Sequence, residues 1–257
     1  MIYQAKSYIK FLRKSKNQHA VHSPFVYEFV TQCLYDKQKY DAYPTLKQYR
    51  KALQKSTETI QVADFGKGSR VFKKAKRKVS KIAKTAGTPK KRQQLLFRMA
   101  QYFKPEKVLE LGTSLGKGTV ALSLGNENGH ITTVEGCPQT AAIAKRQFET
   151  FKRNNIELKQ QDFTSFLNED RTSHYDFIFL DGHHDKTATL DYFTQLLPKI
   201  TSETVVILDD IHWSRGMTEA WKTLVQHPKV MVSIDTFHWG ILFFRETLSK
   251  EHFYLRM

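Results

Sequence analysis

The stretch Lys107-Val-Leu-Glu-Leu-Gly-Thr-Ser-Leu-Gly-Lys-Gly-Thr-Val-Ala-Leu-Ser-Leu124 decides the fold. An apolar run ends in an acid and a glycine-rich turn and then turns helical, which reads as strand, loop and helix. Gly112, Gly116 and Gly118 remove side chains where backbone must pass close to a ligand. Glu110 stands at the carboxyl end of the strand, where open α/β sheets bind their ligands. A ligand crevice is therefore expected near residue 112.

Upstream, Gly87-Thr-Pro89 punctuates the chain and divides a basic, mainly helical N-terminal segment, residues 1–88, from a second domain, residues 89–257. A lead-in helix from about Lys90 to Phe103 sets Leu95, Leu96, Met99 and Phe103 on one stripe, and Lys104-Pro105 stops it. Downstream, strand patterns at Val108–Leu111, Ile131–Val134, Ile156–Lys159, Phe177–Leu180, Val205–Leu208, Val230–Ile234 and Gly240–Phe244 alternate with helical ones. Such alternation predicts a Rossmann-like, doubly wound, mostly parallel seven-stranded sheet. The link between the last two strands is too short for a helical crossover, so they are expected to form an antiparallel C-terminal hairpin.

Charge is unevenly spread. The net charge is +16, but residues 1–104 carry 25 basic against 5 acidic side chains, net +20, while residues 105–257 are net −4. A front segment of this kind is suited to an anionic partner, RNA or another polyanion, and equally to a solvated basic face. Within it, Val71, Ala75, Val79, Ile82 and Ala86 fall on one face of an expected amphipathic basic helix over residues 71–86. The preceding Gln61-Val-Ala-Asp-Phe-Gly-Lys-Gly-Ser-Arg70 imitates a nucleotide loop, but no strand ending in an acid follows it. Cys33 and Cys137 are the sole cysteines and fall in different segments, so a disulfide framework is not expected and the chain reads as cytoplasmic. The N-terminus scatters cations among its apolar residues, unlike a signal peptide or a transmembrane segment.

Residues 90–245 resemble the class I S-adenosylmethionine-dependent methyltransferases, whose sheet ends in such a hairpin. The loop Glu110-Leu-Gly-Thr-Ser-Leu-Gly-Lys-Gly118 is similar to the Glu-x-Gly-x-x-x-Gly form of small-molecule O-methyltransferases of the catechol and sugar types. Glu135, closing Ile131-Thr-Thr-Val-Glu-Gly136, lies one βα unit downstream, where an acid accepts both ribose hydroxyls. Asp162 matches the position that contacts the adenine amino group. The resemblance thus implies a cofactor site for S-adenosyl-L-methionine of Glu110, Gly112, Ser114, Gly116, Gly118, Glu135, Gly136, Asp162 and Asp181. Taken singly, Glu135 also reads as a helix N-terminal acid and Asp162 as an N-cap.

Asp181, in Tyr175-Asp-Phe-Ile-Phe-Leu-Asp-Gly-His-His-Asp185, and Asp209-Asp210, in Val205-Val-Ile-Leu-Asp-Asp-Ile-His-Trp213, close two further apolar strands. In the metal-dependent relatives, acids there hold magnesium or another divalent cation, which implies Asp181, Asp209 and Asp210 as ligands; Asp209 reads alternatively as a cap or as a partner of Arg215. His184 stands where the catechol-type enzymes have a lysine and His183 where the sugar-type ones have an aspartate, so either is a candidate base. His212 is a weaker candidate, and His19, His22 and Arg70 are guesses at acceptor contacts. The expected activity is metal-assisted O-methylation of a hydroxylated small molecule, with homodimerisation open. The alternatives are an RNA methyltransferase using the basic segment and a non-catalytic anion-binding protein on a methyltransferase scaffold.

Overall fold

The computed structural model describes residues 2–63 and 75–257. In chain order its elements are α1 (Ile2–Lys14), α2 (Pro24–Phe29), α3 (Ala42–Lys55), β1 (Thr59–Gln61), β2 (Lys76–Lys78), α4 (Val79–Thr85), α5 (Lys90–Phe103), β3 (Lys107–Leu111), α6 (Lys117–Gly125) and β4 (His130–Val134). There follow α7 (Pro138–Thr150), β5 (Ile156–Lys159), α8 (Phe163–Glu169), β6 (Tyr175–Leu180), α9 (Lys186–Leu196), β7 (Ile200–Asp209), α10 (Arg215–Gln226), β8 (Val232–Asp235), β9 (Trp239–Phe243) and β10 (Glu251–Tyr254). These elements fall into two compact units, Asp36–Asp170 and Met1–Tyr35 with Arg171–Met257.

In the unit Asp36–Asp170, β3, β4 and β5 pair in parallel, Val108 opposite Ile131 and Ile131 opposite Ile156. Local chemistry sets the ends of its helices. Lys104 takes a left-handed C-cap on α5 ahead of Pro105, Pro138 opens α7, and the Asp162 carboxylate accepts the Ser165 N–H to cap α8. Helix α3 packs on the strand–loop–helix stretch: Leu46, Tyr49 and Leu53 are buried, and the Tyr49 hydroxyl donates to the Leu115 carbonyl at 2.9 Å.

The other unit carries β6 and β7 in parallel, β9 antiparallel to both β7 and β8, and β10 parallel to β8. The hairpin of β8 and β9 is therefore the one expected, with Ile234 opposite Ile241. Val205–Asp209 is buried throughout, as a strand covered on both faces requires. Phe25 and Phe29 of α2 meet Phe243 edge-on at 5.0 and 5.5 Å between ring centroids. Both cysteines are buried and no disulfide joins them, and no helix among the described residues is long and apolar enough to cross a membrane.

Two expectations are corrected. Residues 76–78 are not helical: Lys76-Arg77-Lys78 is a strand antiparallel to Thr59-Ile60-Gln61, and among the described residues of that region the helix is Val79–Thr85, burying Val79, Ile82 and Ala83. The apolar spacing was helical throughout, but Ile60 and Arg77, both buried, pair across a short ribbon that outweighs it. Residues 64–74, with most of the second glycine loop, Arg70 and the start of the expected helix, lie outside the described residues. The second correction is an eighth strand among the mostly parallel ones, β10, where seven were expected; its Glu251-His-Phe-Tyr254 carries too little aliphatic character to announce itself.

Gly240 of β9 sits against the Trp221 indole, and a Cβ there would lie 2.6 Å from its Cε3. Gly240→Ala is expected to cost about 1–3 kcal/mol by overpacking, seen as a lower urea midpoint with unchanged slope; an unchanged midpoint would contradict this packing.

Candidate active site

The carboxylate of Glu110 lies at the end of β3 and is 1% exposed. Its Oε2 accepts the Thr119 hydroxyl from α6 and the Thr133 hydroxyl from β4, the latter at 2.6 Å. Thr113 and Thr133 share a further hydroxyl contact at 2.6 Å. Burial raises the Glu110 carboxyl to about 7, the two threonine hydrogen bonds oppose that rise, and the nearby Glu135 charge adds to it. Glu110 is thus a knot beneath the loop joining strand, loop and helix.

Above it the backbone turns through three residues of positive φ, Gly112 at 115°, Ser114 at 49° and Gly116 at 71°. The turn is pinned to β4, since the N–H groups of Gly112 and Thr113 donate to the Val134 carbonyl. A side chain on Gly116 would overlap Phe148 and the Tyr49 hydroxyl, so glycine is required there for space as well as for conformation. Gly118 lies in the buried first turn of α6.

Glu135 follows β4 directly. Its Oε2 accepts the Ser114 N–H at 2.8 Å and its Oε1 the Cys137 N–H at 2.9 Å. Burial raises its pKa and these two hydrogen bonds lower it. A carboxylate accepts about four hydrogen bonds, so acceptor capacity remains on both oxygens for a vicinal diol. These acceptor oxygens fit the two hydroxyl donors of a nucleoside ribose. Gly136 lies beside it, half-buried, and Asp162 is held below its usual pKa chiefly by its hydrogen bonds to Ser165.

In the unit Met1–Tyr35 with Arg171–Met257, Asp181 follows β6, and the chain then passes through His183 and His184, both left-handed at φ 60° and 43°. Two successive non-glycine residues in that region store strain of a kind that gathers at functional sites. His183 Nδ1 hydrogen-bonds the Tyr192 hydroxyl of α9. His184 Nε2 lies 3.9 Å from Asp181 Oδ1, while its Nδ1 is buried with no hydrogen-bond partner among the described residues. A small cavity beside it is lined by Leu180, Gly182, His184, Tyr192, Asp209 and Met217. His212 is committed elsewhere, to Asp235 at 2.8 Å and Thr218 at 3.0 Å. His19 and His22 are exposed in the connection ahead of α2.

Asp209 ends β7 and lines the cavity, Asp210 turns the chain at φ 53°, and among the described residues no group of three or more His, Cys, Asp or Glu is placed to hold an ion, so a metal site at Asp181, Asp209 and Asp210 is not shown. Sequence reasoning also missed Tyr192, Thr119, Thr133 and Lys117. The last is buried, donating its Nζ to the Ala83 carbonyl at 3.0 Å, and its place between Gly116 and Gly118 is the signal that marks it.

Residues 109–211 match the family model described as a methyltransferase domain. Solved structures similar to the chain include an S-adenosylhomocysteine-bound methyltransferase, PaMTH1 of Podospora anserina, at TM-score 0.60 and 13% identity over 88% of this chain and 97% of that one. An O-methyltransferase from Bacillus cereus, in complex with S-adenosylhomocysteine, gives 0.54 and 18% over 84% and 96%. TomG of Streptomyces achromogenes, an O-methyltransferase involved in tomaymycin synthesis, gives 0.56 and 15% over 89% and 99%. No curated protein matches the chain in sequence. At these identities the likeness is one of fold: the chain is built like these solved methyltransferases.

Glu110→Gln tests the buried knot. The folded carboxyl titrates near 7 against an ordinary 4.5, so ionisation opposes folding: wild-type stability falls as pH rises from about 4.5 to 7 and the term is constant above. Glutamine keeps an acceptor for both threonines and carries no charge. At pH 8 the variant is expected to melt above wild type, by up to about 3 kcal/mol, and the difference should vanish below pH 4.5; a difference independent of pH would refute the assignment.

Proposed function

We propose that the chain transfers the methyl group of S-adenosylmethionine to an oxygen of a hydroxylated small molecule. The observation that carries this reading is Glu135, a half-buried carboxylate fixed at a strand end by two backbone N–H groups with acceptor capacity to spare. In this reading Glu135 accepts the ribose hydroxyls, Asp162 faces the adenine, and the turn from Gly112 through Ser114 and Gly116 to Gly118 gives the cofactor close approach to backbone, with Gly136 doing the same beside Glu135. Glu110 acts from beneath as a positioning residue. When bound, the cofactor supplies an electrophilic methyl on a sulfonium, so catalysis is mostly orientation and proton removal.

His184 is the base we assign. Its Nε2 faces the Asp181 carboxylate, which favours the proton on that nitrogen and leaves Nδ1 as a lone pair. His184 would take up the proton that the acceptor hydroxyl gives up, and the cofactor, when bound, would supply the electrophilic methyl group. His183, tied to Tyr192, holds the strained turn that presents His184. Asp181 acts here as the orienting partner of His184, and the mechanism uses no step through a metal. The named activities of the Bacillus and Streptomyces proteins support oxygen as the acceptor atom.

Calorimetric titration with S-adenosylhomocysteine, followed by transfer of labelled methyl to a panel of catechols and other diols with and without magnesium, tests the proposal. Glu135→Ala is expected to weaken cofactor binding at least about tenfold, the loss of charge-assisted hydrogen bonds. His184→Ala should lower turnover about 100- to 10,000-fold with unchanged cofactor affinity. Absence of cofactor binding by wild type would overturn the reading. Activity abolished by a chelator would move deprotonation from His184 to a metal, and methylation of RNA alone would overturn the acceptor class.

A further inference from the structure

Helix α1 is apolar on two sides. One side is anchored: Phe11 is buried against Phe237 and Tyr254, at centroid distances of 5.6 and 6.4 Å. At 100° per residue, Ile2, Ala5, Ile9 and Leu12 lie together on the side away from Phe11. Ile2, Ile9 and Leu12 are 76%, 52% and 38% exposed, three of the large hydrophobic side chains that the described residues leave in solvent. Lys6, Lys10 and Arg13, all exposed, run along one border of this stripe, and no acidic residue precedes Glu28 in the chain.

We propose that α1 seats the protein on an anionic lipid bilayer. A bilayer surface answers both features, with the apolar stripe entering the acyl boundary and the cations lying among anionic headgroups. A second copy is less suited: an antiparallel two-fold pairing of α1 would set Lys6, Lys10 and Arg13 beside their own copies, and α1 carries no acid to neutralise them. A nucleic acid has use for the cations but none for an isoleucine–leucine stripe. The inference is independent of the methyl-transfer reading, since it rests on α1 alone.

Co-sedimentation of the full chain with phosphatidylcholine vesicles, with and without phosphatidylserine, tests it. Binding is expected only with phosphatidylserine, falling with added salt, and at least about tenfold weaker for Ile9→Ser/Leu12→Ser and for Lys6→Glu/Lys10→Glu. Thermal melting and S-adenosylhomocysteine affinity should be unchanged in both; if the apolar pair loses its melting transition, Ile9→Ser alone carries the same expectation. No binding at low salt overturns the proposal. So does loss on charge reversal but not on apolar replacement, which would mean mere charge attraction, and so does a wild-type dimer in light scattering that Ile9→Ser/Leu12→Ser dissociates.

Discussion

Glu110 is buried where β3 ends, and a carboxylate taken out of water must be met by donors or give up its charge. The chain supplies those donors from both sides, Thr119 from α6 and Thr133 from β4. Meeting that requirement fixes the start of α6 relative to two strands, and the backbone between can then close only as a tight left-handed turn through Gly112, Ser114 and Gly116. The same turn delivers the Ser114 N–H to Glu135, so one buried acid organises the loop that orients the second acid. The site's most informative carboxylate is therefore Glu135, and Glu110 is its foundation.

The basic N-terminal half is not one object. Residues 36–88 belong to the same compact unit as the glycine loop, while residues 1–35 belong with the C-terminal strands. Some of its cations are structural: Arg50 donates to Gln93, which in turn donates to the Lys117 carbonyl. The net charge of +20 over residues 1–104 thus overstates the surface free for a polyanion. What α1 presents is a different chemistry, apolar and cationic together, on a helix held in place by Phe11.

Much of this was readable in the sequence because strong periodicity and strong punctuation coincided. The strands at residues 107–111 and 130–134 are apolar runs ended by acids, and Pro138 opens the next helix. The antiparallel hairpin followed from a connection too short for a helix. Legibility failed where the decisive partner is distant or polar. Lys76-Arg77-Lys78 becomes a strand only because Thr59-Ile60-Gln61 pairs with it. Tyr192 reaches His183 from α9 through tertiary placement alone. Asp181, Asp209 and Asp210 read as a ligand set because acids close successive apolar strands, and among the described residues no group of three or more such side chains is placed to hold an ion.

The central claim is that Glu135 is a ribose acceptor held in place by the glycine loop. A crystal structure of the protein soaked with S-adenosylhomocysteine tests it most directly. The account predicts both ribose hydroxyls within hydrogen-bond distance of the Glu135 carboxylate, with the Ser114 and Cys137 N–H bonds intact. A nucleoside bound elsewhere, or a Glu135 carboxylate contacting only backbone while the cofactor is present, would contradict it.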